Sequence, residues 1–560
     1  MNKIIQMLDS LISFLSVLGM IETILVKGFM YSLPGIFQLL IRSGYTALIA
    51  FFLIRVAFRI YQTGWKLREM IPDIFLSIIL LGMFLPVSVG GSIVSIRVVI
   101  LLCIGFLKKI GLMGFMAQIK LNPARLLLLS FLGVIMTGTV FLMLPAATVD
   151  GDGTRFIDAF FTSTSATCVT GLIVKDTGHY FSLFGKLVIL TLIQIGGLGI
   201  MTLSTLYTMI LGKQLGLRQE EQMRGILDQT STVRMYKLIV QIIKITLFFE
   251  CLGAFLLFVK WIPEMSLREA LSHSIFHSIS AFCNAGFSLN TMNLERYVND
   301  YYINGVFMVL IIAGGLGFVV ISDLIKNSRK FNPLTIQWKR VSVHTKLVIS
   351  TTGALLAVGF LSFFFFEFDN TMLDLSSINK LFAAAFQSVT LRTAGFNTID
   401  ISDLRETTLF IGMILMFIGA SPSSTGGGIK TTTFAVLLLT IKSILTSRNK
   451  VEIHMRTIPH QTVYKAIAIF LFSFSLLLII CVILLTTQQG DFIDIIFEAV
   501  SAIGTVGLST GMTNHLDTTG KLLIIILMYT GRLGPLTVAL ALGEAKKVKI
   551  EYPTTRIAVG

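Results

Sequence analysis

The chain has 560 residues, of which 54% are hydrophobic and 13% charged, and carries a formal net charge of +15. A soluble domain has roughly 25% charged residues, so there is too little polar surface here for a set of soluble domains, and a cytosolic enzyme, a disordered chain and a nucleic-acid binder are excluded. In a polytopic membrane protein the basic excess belongs in cytoplasmic loops. Residues 1–120 hold apolar stretches near 10–30, 35–60, 72–89 and 94–117, enough for up to four extra membrane helices. Asp9 and Glu22 interrupt the first, which argues against a cleavable signal peptide, and Glu22 with Lys27 leaves an interfacial helix as the alternative. Beyond these, segments 124–146, 184–212, 237–261, 302–325, 345–367, 407–445, 463–486 and 519–543 are apolar enough to span.

The connections alternate in charge. Basic ones hold Lys108–Lys120, Lys213–Lys237, Lys326–Lys346, Lys442–Lys465 and Lys546–Arg556; the others, 147–183, 262–300, 368–404 and 487–517, contain acids such as Asp150, Asp152, Asp369 and Asp491. The positive-inside rule puts the basic set, and with it both termini, in the cytoplasm of a plasma-membrane protein. Each outer connection contains a second apolar stretch of about a dozen residues, too short to span and therefore re-entrant.

The re-entrant stretches resemble one another and end at Gly171, Gly286, Gly395 and Gly507, spaced 115, 109 and 112 residues apart. Glycine clusters beginning at Gly196, Gly314, Gly419 and Gly531 follow at offsets of 25, 28, 24 and 24. Four matched copies define a repeat of helix, pore helix, glycine turn and helix. The expected fold class is thus an all-α polytopic membrane protein with four such repeats in pseudo-fourfold arrangement around one pore. The units are 121–235, 236–342, 343–458 and 459–560, preceded by the N-terminal helices. Glycine turns let carbonyls face the axis and replace the hydration shell of a monovalent cation. No turn supplies a ring of Asp or Glu, which argues against a divalent-cation channel.

The segments TSATCVTGL, SISAFCNAGF, QSVTLRTAGFNT and SAIGTVGLSTG resemble the four filter regions of the Trk/Ktr/HKT superfamily of potassium transporters, most closely the Ktr-type membrane subunit. The resemblance covers about 120–560. It implies a K⁺ filter formed by Thr167, Cys168, Val169, Thr170 and Gly171; Cys283, Asn284, Ala285 and Gly286; Arg392, Thr393, Ala394 and Gly395; and Gly504, Thr505, Val506 and Gly507. Cys283 stands where the family often has Asn. The resemblance further implies a homodimer with a pore in each protomer, a cytoplasmic ring of nucleotide-binding regulatory subunits that takes ATP or ADP, and no cofactor in this chain. Na⁺ as a coupling ion is compatible with the family but has no signature here.

Segment 419–433, GASPSSTGGGIKTTT, interrupts an apolar run with Ser, Pro and three glycines that cannot continue a helix in lipid. It reads either as a packing kink or, preferred, as a flexible gate using Gly419, Ser421, Pro422, Thr425, Gly426, Gly427, Gly428 and Lys430. Its spacing fails the phosphate-binding loop pattern, because Ile429 separates Gly428 from Lys430. Arg532 inside the last membrane helix is either a snorkelling structural residue or, by resemblance, a positive charge that contacts this loop. Arg392 at the third turn fits a structural salt bridge, with Glu498 or an outer Asp, as well as a role in conduction. Asp158, Asp491 and Asp494 lie at pore-helix starts, where carboxylates complement the helix dipole. His273 and His277 lack the glutamate of a zinc-protease motif, and the five cysteines form no CxxC, so both groups read as structural. A less selective Na⁺/K⁺ channel-like transporter and a non-transporting membrane scaffold remain the alternatives to K⁺ uptake.

Overall fold

Four helices among the described residues are long and apolar enough to cross a membrane, and each opens one repeat. The computed structural model describes residues 123–199, 232–329, 332–336 and 338–542. The expected N-terminal helices, the basic connection after residue 199 and the C-terminal tail lie outside the described residues.

Repeat 1 comprises α1 (Pro123–Leu142), α2 (Phe156–Thr167) and α3 (Leu183–Leu198). Repeat 2 comprises α4 (Thr232–Trp261), α5 (Leu267–Phe282), α6 (Tyr301–Leu316) and α7 (Phe318–Asn327). Repeat 3 comprises α8 (Val343–Phe366), α9 (Ser377–Thr390), α10 (Glu406–Phe417) and α11 (Thr431–Leu445). Repeat 4 comprises α12 (His460–Thr487), α13 (Phe492–Gly504), α14 (Thr518–Leu533) and α15 (Pro535–Leu542). Two short antiparallel hairpins, β1 (Ser328–Arg329) with β2 (Asn332–Ile336) and β3 (Glu452–Ile453) with β4 (Arg456–Thr457), sit in connections expected to be cytoplasmic.

The short helices α2, α5, α9 and α13 have 12, 16, 14 and 13 residues. At 1.5 Å per residue they reach roughly 18–24 Å, short of a bilayer core of roughly 30 Å. The second helices of repeats 1, 2 and 4 begin at polar caps that satisfy their first N–H groups: Ser182 accepts from Gly185 N, Asp300 from Tyr302 N and Ile303 N, and Asp517 from Gly520 N.

Packing closes the repeats into a ring. Within each repeat the first helix packs on its pore helix. Between repeats, α3 packs on α5, α6 on α9, α10 on α13, and α14 returns to α2. Each pore helix is therefore flanked by the first helix of its own repeat and the second helix of the repeat before it, and together they bury Phe161, Phe282, Phe386 and Phe497. The first helices turn apolar residues such as Phe255 and Phe365 outward, 62% and 70% exposed, as a lipid-facing surface requires.

Two expected spans are not straight. Segment 302–325 breaks at Gly317 and 519–543 at Gly534, and the helices beyond turn by 97° and 100°. Both glycines are left-handed, φ 91° and 87°, as is Gly199 at φ 80°. A residue with φ positive ends the i to i−4 ladder, and glycine does so without a steric cost. In repeat 3 the break is replaced by the loop between α10 and α11.

Candidate functional site: a glycine ring above an intramembrane loop

Each pore helix runs directly into a turn ending in its expected glycine. Gly171, Gly286, Gly395 and Gly507 have φ of 98°, 71°, 75° and 91°. Two residues earlier, Val169, Asn284, Thr393 and Thr505 are also left-handed, φ 56°, 59°, 70° and 51°. These are non-glycine residues in a costly region, and the same strain recurs four times. Left-handed residues alternating with right-handed ones turn successive peptide planes the same way, the arrangement by which a backbone lines an axis with carbonyls.

The amide groups face the other way, into the pore helices. Thr170 N donates to Ser165 O at 2.8 Å, Ala285 N to Ser280 O at 2.8 Å and Val506 N to Ser501 O at 2.8 Å. Gly171 N and Gly507 N donate to the hydroxyls of Ser165 and Ser501, each at 3.1 Å. Ser280 and Thr390 instead donate to the carbonyls of Phe287 and Phe396.

The four glycines touch in cyclic order. A methyl group on Gly171 would meet the Ala285 carbonyl oxygen at 2.6 Å; on Gly286 it would meet that of Ala394 at 3.0 Å; on Gly395 that of Val506 at 2.5 Å; and on Gly507 that of Thr170. Each is the carbonyl just before the next glycine, and repeat 4 closes on repeat 1. All four glycines open outward into one cavity of about 580 Å³, which Asp176, Glu295 and Asp400 also line. Glu295 is pushed above the ordinary carboxyl value by burial and then by neighbouring Asp400.

Below the ring, residues 418–430 cross from one wall to the others. Ile418 and Ile429 pair across the base of the loop. Ser421 N and Thr425 N donate to Gly315 O and Gly314 O at 3.1 and 3.2 Å. Thr425 Oγ1 donates to Phe282 O at 3.2 Å, Gly427 N to Thr505 Oγ1 at 3.0 Å and Gly428 N to Gly531 O at 3.2 Å. Arg532, the penultimate residue of α14, donates to Thr425 O in the loop and to Gly196 O in α3. Lys430 Nζ donates to Gly426 O at 2.8 Å. Pro422 O lies against Gly317, where the α6–α7 break begins. The loop thus contacts repeats 2 and 4, with Arg532 clasping it to repeat 1. Gly419 is part of the same fold-back: a methyl group there would strike the Gly427 carbonyl.

Arg392 makes no salt bridge with Glu498. Its guanidinium donates to Gly419 O at 2.8 Å, on the loop side of the ring. Glu498 faces outward instead and accepts from Ser509 and Thr513. Asp158 forms an ion pair with Lys521 at 2.7 Å, and Asp491, at the N-cap of α13, makes no side-chain cap bond. His277 accepts and donates locally, with His273 O and Ser288 as partners.

Sequence reasoning missed the close approaches behind the glycine turns. Gly138, Gly253 and Gly359 in the first helices admit Ser163, Ser278 and Ser388, which donate to Ile135 O, Glu250 O and Leu356 O at 2.7, 2.7 and 2.6 Å. Their spacing, 115 and 106 residues, repeats the period of the turn glycines and was the available signal. Glu250, buried in α4, accepts from Gln194 Nε2 at 3.0 Å; a single acidic residue in an apolar run gives no sign of such a partner.

The sequence profile of the cation transport protein family TrkH matches residues 128–548. Ktr system potassium uptake protein B of Bacillus subtilis is 40% identical over 444 residues, 79% of this chain and 98% of its own. The protein of the same name from Vibrio alginolyticus is 40% identical over 443 residues, 79% of this chain and 96% of its own. The potassium/sodium uptake protein NtpJ of Enterococcus hirae is 36% identical over 449 residues, 79% and 98% respectively. The crystal structure of the potassium transporter TrkH from Vibrio parahaemolyticus superposes with a TM-score of 0.61 at 19% identity, covering 85% of this chain and 99% of that one. The chain belongs to the TrkH family of cation transport proteins, is most like the Ktr-type membrane subunit of the Trk/Ktr superfamily, and is a multi-pass membrane transporter and not an enzyme.

Proposed function

We propose that this protein is the pore-forming subunit of a potassium uptake system. The observation that carries the reading is the closed ring of four left-handed glycines, each against the carbonyl of the next turn. Cations gather in the acidic outer cavity, exchange water for ring carbonyls, and meet the 418–430 loop with Arg532 and Lys430 beneath. A membrane potential supplies about 2.3 kcal/mol per charge per 100 mV, enough to drive accumulation. The name of the Bacillus and Vibrio relatives, a potassium uptake protein of a Ktr system, supports K⁺ as cargo and a separate regulatory component. By family resemblance that component is a cytoplasmic nucleotide-binding ring, taking ATP or ADP, on a homodimer of this chain in the plasma membrane. The Enterococcus relative's name, potassium/sodium uptake, favours a second reading in which Na⁺ also permeates or couples.

The test is K⁺ and Na⁺ flux into proteoliposomes, with and without a regulatory subunit and ATP. K⁺ flux that exceeds Na⁺ flux is expected. Gly507→Ser should weaken that preference, because its side chain must displace the Thr170 carbonyl from the ring. No K⁺ flux under any condition would overturn the reading and favour a scaffold.

A further inference from the structure

Each pore helix carries a buried polar residue at one repeated position. It immediately precedes the serine that bonds the first helix, Ser163, Ser278 or Ser388, with Ala499 there in repeat 4. The four residues are Thr162, His277, Gln387 and Glu498, all at most 2% exposed. Three of them reach past the filter to the chain just outside it.

His277 Nδ1 lies 2.8 Å from His273 O, which can only accept, so the ring proton sits on Nδ1. Nε2 is then an acceptor, and takes Ser288 Oγ at 3.1 Å and Leu289 N at 3.3 Å. Glu498 accepts from Ser509 Oγ, from Thr513 Oγ1 at 2.8 Å and from Thr513 N at 3.3 Å. Gln387, with its amide oriented to satisfy its neighbours, accepts through Oε1 from Thr398 N at 3.2 Å and Ile399 N at 3.3 Å. An imidazole, an amide and a carboxyl thus do one job, presenting an acceptor to the segment two to six residues beyond the filter glycine. Ser288 and Ser509 stand at the same place, two residues past their glycines, and both line the outer cavity. In repeat 1, Ile173 occupies that place and the Thr162 hydroxyl has no hydrogen-bond partner.

We infer that His277, Gln387 and Glu498 are positioning residues for ion selection: they tie the outer lip of the filter to the pore helices in repeats 2, 3 and 4 and leave repeat 1 untied. This rests on the transport reading above. The filter turns already hold strained left-handed residues, so their shape depends on being fixed from both ends. The pore-helix amide bonds fix the inner end, and these acceptors fix the outer one. A ring released at its lip can widen or narrow to suit the ion, and so discriminates less.

The test is the K⁺ to Na⁺ flux ratio of the full chain in proteoliposomes, alongside total flux and protein yield. Glu498→Ala, His277→Phe and Gln387→Leu are expected to lower the ratio by about tenfold, the equilibrium weight of a hydrogen bond to a charged or buried group. Glu498→Gln, which keeps a carbonyl acceptor, restores most of it. Ser509→Ala removes the same bond from the half-buried partner, so the question survives if a pore-helix variant does not fold. Glu498→Ala with Ser509→Ala should be no worse than the more affected single variant. Thr162→Val should leave the ratio unchanged. An unchanged ratio in the Glu498, Ser509 and Gln387 variants, with yield and flux intact or reduced, overturns the inference. So does an equal loss in Thr162→Val, which would mean pore-helix packing alone is at work. A wild-type protein that passes K⁺ and Na⁺ equally overturns the inference and leaves transport standing, whereas one with no K⁺ flux under any condition overturns the transport reading itself, and the inference with it.

Discussion

At the residue scale, the charges around the glycine ring differ in what holds them. Arg392, Lys430 and Arg532 all bond backbone carbonyls, so each cation is held on the loop side of the ring by dipoles. On the outer side, Glu295 accepts from Asn397 at 2.8 Å beside Asp400, and burial raises its affinity for protons. An acid with a raised pKa loses its charge sooner as pH falls. Uptake at low K⁺ should therefore slow as external pH drops into the range above the ordinary carboxyl value, while negative charge in the cavity declines. Glu295→Gln should lower uptake at neutral pH by a few-fold and flatten that acid limb; a pH profile of initial rates at low and high ionic strength checks both. The four glycine turns were legible in the sequence because four copies of one turn compare themselves. Arg392 was not: a lone arginine near a filter suggested a carboxylate partner, and its bond to Gly419 O exists only because the loop folds back beneath the ring.

At the scale of the element, the loop between α10 and α11 is held in place by hydrogen bonds to several repeats. Its N–H groups reach Gly314, Gly315, Thr505 and Gly531, and one side chain, Arg532, joins it to α3. Removing that clasp should shift the loop towards states that leave the path open. Arg532→Ala is expected to raise K⁺ flux several-fold in proteoliposomes without changing the K⁺ to Na⁺ ratio, because the filter lies above it; unchanged flux would count against a gate at this loop. The broken spans at Gly317 and Gly534 were not legible from hydropathy, since both halves are apolar. The glycine positions were visible, but a glycine inside an apolar run serves helix packing as readily as a break. Which of the two it does is set by φ, and here a left-handed φ of 91° or 87° ends the helix.

At the scale of the whole molecule, an ion pair is among the contacts that join the end of the ring to its beginning. Lys521 in α14 donates to Asp158 in α2 at 2.7 Å, with side chains 16% and 9% exposed. Repeats 4 and 1 are far apart in sequence, so this pair helps to close the circle where chain connectivity gives little help. Lys521→Met should leave a nearly buried carboxylate unpaired and destabilise the protein by roughly 1–3 kcal/mol; thermal unfolding in detergent measures it, and Asp158→Asn added to Lys521→Met should recover part of the loss. The sequence by itself determined the membrane class, the fourfold repeat, the position of each turn glycine and the family resemblance. These follow from composition and period, which are local and survive without coordinates. Only the tertiary structure decided the cyclic order of the glycines, the particular carbonyls that Arg392 and Arg532 bond, the breaks in α6–α7 and α14–α15, and the acceptors behind the outer lip of the glycine turns. Each of these depends on groups from different repeats, or from the two ends of one turn, meeting in space, and spacing along a chain does not specify which carbonyl a buried donor will find.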